Sequence, residues 1–195
     1  WSFNLYNDPK RLAFVLSRYK FAAKMGAKNK NILEVGCSEG IGVPILSEFA
    51  LSYTGVDMDS SAIKAAKKNW RDDKIRFRTN DFLGKVYGTF DTVVSLDVVE
   101  HIMPPSEKLF FETLFNNTGD GGIMIVGTPN ATSSAYASAP SKIGHVNLFD
   151  ANRLRKAVEK MFHNVFIFGI NDEIVHTGFA PMAHYLICVG CYKRE

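Results

Sequence analysis

Short apolar runs of strand length alternate along the chain with amphipathic, basic-flanked segments of helix length, and this alternation constrains the fold more than any other feature. Strands are expected at 31–35, 53–56, 75–78, 90–96, 123–126, 165–170 and 184–191. Helices are expected from Asp8-Pro9 to about Met25, then at 43–51, 62–70, 106–115 and 152–160. The 90–96 run is apolar and β-branched, as suits a central strand buried on both faces. Seven strands with helices between the first five describe a doubly wound, mostly parallel α/β sheet whose last strand runs antiparallel.

The 195 residues are 46% hydrophobic and 22% charged, enough for one sizeable core but tight for a cofactor domain plus a separate substrate domain. A single domain over 1–195 is therefore expected, with 1–30 as an N-terminal cap helix. One irregular stretch, 131–144, is rich in Ser and Ala, and loops of that length in compact domains usually serve function. It is expected to cover an acceptor. A net charge of +3 argues only weakly for polyanions, so nucleic acid is not the expected partner. No apolar run approaches the roughly 18 residues a bilayer span needs, and the three cysteines suggest no disulfide framework. A cytoplasmic protein is expected, with a homodimer left open.

The most informative segment is Ile32-Leu33-Glu34-Val35-Gly36-Cys37-Ser38-Glu39-Gly40-Ile41-Gly42, a strand running into a turn where backbone must pass close to a ligand. Asp57 closes the second expected strand, where a carboxylate reaches a ribose diol in the crevice outside the strand ends. The pattern binds a nucleoside. A dinucleotide turn would need glycine where Ser38 and Ile41 stand, so the nicotinamide reading is weak.

Glu34-x-Gly36-x-Ser38-x-Gly40 resembles the first motif of class I S-adenosylmethionine-dependent methyltransferases, with serine in place of the usual central glycine. The resemblance extends through the run from Phe90 to Ile102, which is similar to the fourth-strand motif of the quinone-ring and related small-molecule O-methyltransferases. Gly127-Thr128-Pro129-Asn130 and the run from Gly144 to Phe149 also look like that branch. The resemblance implies a Rossmann-like methyltransferase fold, S-adenosylmethionine as cofactor and S-adenosylhomocysteine as product. It implies cofactor roles for Glu34, Gly36, Ser38 and Gly40 in the turn, and for Asp57 at the ribose with Met58 flanking the adenine. Asn80, Asp81 and Phe82 fall on the adenine segment, and Leu96 and Asp97 on the fourth-strand end, with Asp97 against the cofactor's amino group. In relatives the first helix folds over the cofactor, which gives Arg18 and Tyr19 a role at the methionine carboxylate.

A hydroxyl acceptor must also lose a proton. His101, just past the fourth strand, is the first candidate base, and His145, after the irregular stretch, the second. If 97–102 turns helically, Asp97, Glu100 and His101 share a face, and His145 could complete a divalent metal site as an alternative to the base role. That set resembles metal-assisted methyltransferases acting on catechol-like quinone precursors or on the terminal ribose of small RNAs. Methylation of a small molecule, at a hydroxyl of a sugar, quinone precursor or secondary metabolite, is the expected activity. The alternatives are an RNA-terminal ribose methyltransferase and a non-catalytic S-adenosylmethionine-binding subunit. His163, His176, His184 and the Cys188-x-x-Cys191 pair read as structural.

Overall fold

The computed structural model describes residues 7–195. Among the described residues the first full element is helix α1 (Pro9–Gly26), whose N-cap Asp8 accepts a hydrogen bond from the Arg11 amide. It continues through β1 (Asn31–Val35), the short α2 (Val43–Leu46), β2 (Ser52–Asp57), α3 (Ser60–Asn69), β3 (Ile75–Thr79) and β4 (Phe90–Leu96). Two single 3-10 turns then lead into α4 (Glu107–Asn117) and β5 (Thr118–Pro129). After α5 (Ala139–Gly144) and α6 (Ala151–Glu159), β6 (Phe162–Asn171), β7 (Ile174–His176) and β8 (Tyr185–Lys193) complete one sheet of order β3-β2-β1-β4-β5-β8-β6-β7. The pairs linking β3 through β5 are parallel, whereas β8 runs antiparallel between β5 and β6.

The expected α/β sheet is therefore present with eight strands rather than seven. The extra one is β7, three residues folded back on the end of β6, too short to stand out as an apolar run. The second helix stops at Leu46 instead of continuing to residue 51. The stretch 131–144 is not irregular, because it forms a 3-10 turn (Ala131–Tyr136) followed by α5, which Ser138 caps. Serine in that stretch is capping chemistry rather than looseness. Among the described residues no helix is long and apolar enough to cross a membrane.

Strand alternation divides the core into two layers. Ile32, Tyr53, Val94 and Ile125 face α1, α2 and α3, while Leu33, Val56, Val93 and Met124 face α4 and α6. Helix α1 closes over the first face through the buried residues Val15, Tyr19 and Ala22. Tyr19 packs against the backbone at Gly42, where an added Cβ would lie 2.1 Å from the ring. The ring cannot retreat freely, because its hydroxyl is bonded to Glu34. Gly42→Ala is expected to destabilise the fold by about 1–3 kcal/mol, the usual cost of overpacking, read as a fall in the urea midpoint; an unchanged midpoint would mean that α1 shifts at no cost.

Candidate active site

Strands β1 and β4 lie side by side at the point where the sheet order reverses, and the crevice outside their ends is where such sheets bind ligands. The β1 exit is shaped by backbone geometry. Gly36 takes φ +83°, and a side chain there would place Cβ 2.2 Å from a Val98 methyl. Ser38 and Asp97 also have positive φ, at 47° and 58°, which is strained for residues other than glycine. Both line one cavity of about 580 Å³, within the range of small-molecule sites. It lies among α1, the β1 turn, the ends of β4 and β5, and the segment from Pro129 to Leu148.

Asp57, at the end of β2, accepts hydrogen bonds from the amides of Ser38 at 2.8 Å and Asp59 at 2.9 Å. Each carboxylate oxygen keeps a lone pair in addition to the one it uses. Glu34 is fully buried and does not touch turn amides; it accepts from the hydroxyls of Tyr19, at 2.8 Å, and Tyr53. Its burial pushes the carboxyl up to about 7. Unfolded, the group ionises near 4.5, so between pH 4.5 and 7 the unfolded chain gains charge while the native one does not. The stability associated with this group is thus full below pH 4.5 and falls as pH rises to about 7. Relative to wild type, Glu34→Gln should gain about 3 kcal/mol over that window at 1.36 kcal/mol per pH unit, measured by denaturant titration at both ends; a constant difference would show that Glu34 is already ionised in the native state.

At the inner wall Arg18 reaches both oxygens of Asp97 at 2.8 Å and stacks on the Tyr185 ring, 3.7 Å from its centroid. The Tyr185 hydroxyl accepts from the Asp97 amide at 3.2 Å. The Arg18 Nε is buried without an acceptor, an unmet donor in the cavity wall. An α-amino acid fits this pair, its carboxylate toward the guanidinium and its ammonium toward Asp97. Together with the spare lone pairs of Asp57 and the glycine turn, the donor set suits S-adenosylmethionine.

A second cluster faces the same cavity. Ligand atoms of Glu100, His101 and His145 all lie within 4.8 Å of one another. His101 Nδ1 is 2.9 Å from the carbonyl of Gly144, which can only accept, so Nδ1 carries the proton and Nε2 presents its lone pair. The His101 and His145 rings meet edge to face with centroids 5.1 Å apart. Burial, and next the neighbouring His101, lower the pKa of His145. Glu100 is buried and accepts from the Thr128 hydroxyl at 3.1 Å; burial first, then the charge of Asp97, push its carboxyl up.

The structure thus brings Tyr19, Gly36, Ser38, Leu96, Asp97, Glu100, His101 and His145 to one cavity. Of the metal quartet, Asp97 stands apart from the three-residue cluster and pairs with Arg18 instead. Gly40, Asp57, Met58, Asn80, Asp81 and Phe82 do not line the cavity. Met58 is exposed, the Asn80 amide bonds the Asp57 carbonyl at 2.9 Å, and Asp81 accepts from the Leu83 amide at 3.2 Å. Phe82 is buried edge-on against Phe110. Sequence reasoning missed Tyr185, Arg11 and Lys142. Tyr185 arrives through the antiparallel pairing of β8 with β5, and no local pattern announces that.

Fold and cavity together define an α/β domain whose open-sheet crevice gathers a guanidinium–carboxylate pair and a Glu–His–His cluster. Residues 8–161 match the family described as methyltransferase domain, and the chain belongs to that family, within the class I S-adenosylmethionine-dependent methyltransferases. It is 31% identical over 148 residues to a ubiquinone biosynthesis O-methyltransferase of Caulobacter vibrioides, covering 70% of this chain and 57% of that protein. The chain thus spans little more than half the length of that relative. Among solved structures it resembles a TehB-like S-adenosylmethionine-dependent methyltransferase from Corynebacterium glutamicum, with TM-score 0.71, 16% identity, and 92% and 89% of the two chains covered. The N-methyltransferase NodS of Bradyrhizobium japonicum, in complex with S-adenosylhomocysteine, gives TM-score 0.70 at 17% identity, covering 97% and 91%. These likenesses show the shared fold.

Proposed function

We propose that this protein transfers a methyl group from S-adenosylmethionine to a hydroxyl of a small-molecule acceptor. The observation that carries the reading is a single cavity with the Arg18–Asp97 pair in its wall and Glu100, His101 and His145 also facing it. The bound cofactor supplies a methyl group already activated by its positive sulfur. What the chain's own residues must do is hold the acceptor oxygen in line with that methyl and remove its proton. His101 Nε2 receives the proton, and the Gly144 carbonyl keeps the ring in the tautomer that can do so. Asp57 holds the ribose, Met58 and the 80–82 segment flank the adenine, and Arg18 and Asp97 orient the amino-acid end. The segment 131–144 covers the acceptor; its turn is tied down where Thr132 Oγ1 donates to the Pro181 carbonyl at 2.8 Å.

Two nitrogen donors and a carboxylate converging at the acceptor end suit a divalent ion. As the alternative to the base role of His101, whose one free lone pair cannot both take the proton and bind a metal, Glu100, His101 and His145 would hold the ion, and it would supply Lewis acidity that eases loss of the acceptor proton. Hydroxyl chemistry is also what the O-methyltransferase relative's name states. The test is production of S-adenosylhomocysteine from S-adenosylmethionine with catechol acceptors, before and after chelation and readdition of magnesium, manganese or zinc. Turnover is expected with at least one catechol, and chelation is expected to lower it with recovery on readdition. Tight cofactor binding with no turnover under any of these conditions would overturn the reading in favour of a non-catalytic binding subunit.

A further inference from the structure

Among the described residues, two cations lining the cavity have no carboxylate partner. Arg11 on α1 and Lys142 on α5 come from distant parts of the chain yet line the same cavity, and neither forms an ion pair among the described residues. The Lys142 ammonium reaches only the Ala135 carbonyl, at 3.3 Å. The two carboxylates in the wall are engaged elsewhere: Asp97 gives both oxygens to Arg18, and Glu100 is buried against Thr128. Ser133, Ser134 and Ser141 add neutral hydroxyls to the lining. Both side chains are exposed where they line the cavity, so solvent keeps them charged and they stand open to a ligand of opposite sign. A cofactor with a positive sulfur increases the imbalance.

We infer that the acceptor is anionic, presenting its hydroxyl to His101 while a carboxylate or phosphate on the same molecule lies between Arg11 and Lys142. This rests on the methyl-transfer reading and narrows its substrate class. Charge-assisted bonds to a guanidinium and an ammonium position the acceptor, and the same field disfavours a protonated amine, so the chemistry is directed to oxygen.

The experiment titrates the protein loaded with S-adenosylhomocysteine by calorimetry with three probes: protocatechuyl alcohol, protocatechuate, and the phosphate monoester of the alcohol. At least one anion is expected to bind about tenfold or more tightly than the neutral alcohol, the tighter of the two identifying carboxylate or phosphate. In Arg11→Gln/Lys142→Gln that advantage should shrink to about threefold or less, with S-adenosylhomocysteine affinity held within about twofold as the check on folding. Equal binding of alcohol and anions, an advantage that survives the double substitution, or no binding of any probe would overturn the inference. Failure of S-adenosylhomocysteine to bind the wild-type protein is read before any probe is added and strikes the methyl-transfer reading itself.

Discussion

Replacing His101 with alanine should lower methyl-transfer turnover by about 10²–10⁴-fold, the usual contribution of a positioned base, while S-adenosylhomocysteine affinity stays within about threefold. The split follows from position. His101 belongs to the cluster with Glu100 and His145, whereas the groups proposed for the cofactor end are Arg18, Asp97 and the β1 turn. Its hydrogen bond to Gly144 also makes it a tether for α5. For that reason His101→Gln belongs beside the alanine variant: glutamine can donate to the same carbonyl yet is no base, so both variants should lose turnover alike. Single-turnover rates with saturating acceptor decide it, and an unimpaired rate in either variant would remove His101 from the chemistry.

The second large effect is at Asp57. Asp57→Ala is expected to weaken S-adenosylhomocysteine binding by about 10–100-fold, as the loss of hydrogen bonds to a charged acceptor implies. Two losses combine there. The ribose loses its carboxylate, and the Ser38 amide loses the acceptor that holds the turn in its left-handed conformation. Asp57→Asn separates them, since its carbonyl oxygen can still accept from the Ser38 amide while its NH2 group has no lone pair for the Asp59 amide or a diol hydroxyl and the side chain carries no charge. An intermediate affinity is expected for Asn, measured calorimetrically, and unchanged affinity in the alanine variant would place the diol elsewhere.

Much of this was legible in the chain. The strand-to-turn passage at Gly36, the carboxylate closing β2 and the apolar fourth strand are local patterns, and local geometry follows from them. His101 and His145 could be paired as candidates because one lies just past the fourth strand and the other just past the 131–144 stretch. What the chain hid depends on contacts across the sheet. Asp97 looked like a ligand to a metal because spacing places it near Glu100 and His101, but its positive φ and the incoming Arg18 turn it to another partner. The motif gives Glu34 a cofactor role in the turn, yet two tyrosines from α1 and β2 claim its oxygens. The short β7 and the extent of β5 depend on pairing partners, which apolar runs do not encode.

The position of β8 matters for synthesis on the ribosome. It is the last strand in chain order, yet it fills the slot between β5 and β6 and carries Tyr185 to the Arg18–Asp97 pair. While the chain emerges, β5 has one unsatisfied edge, and the aromatic platform beneath Arg18 does not exist. A nascent chain can therefore assemble the β1 turn and the Asp57 carboxylate well before it can complete the Arg18–Asp97 end of the pocket, where we propose the amino-acid group binds. Cofactor capture should then come late and help lock the final strand in place, so that translation stalled before β8 leaves a chain that is largely folded, edge-exposed and unable to hold its methyl donor firmly.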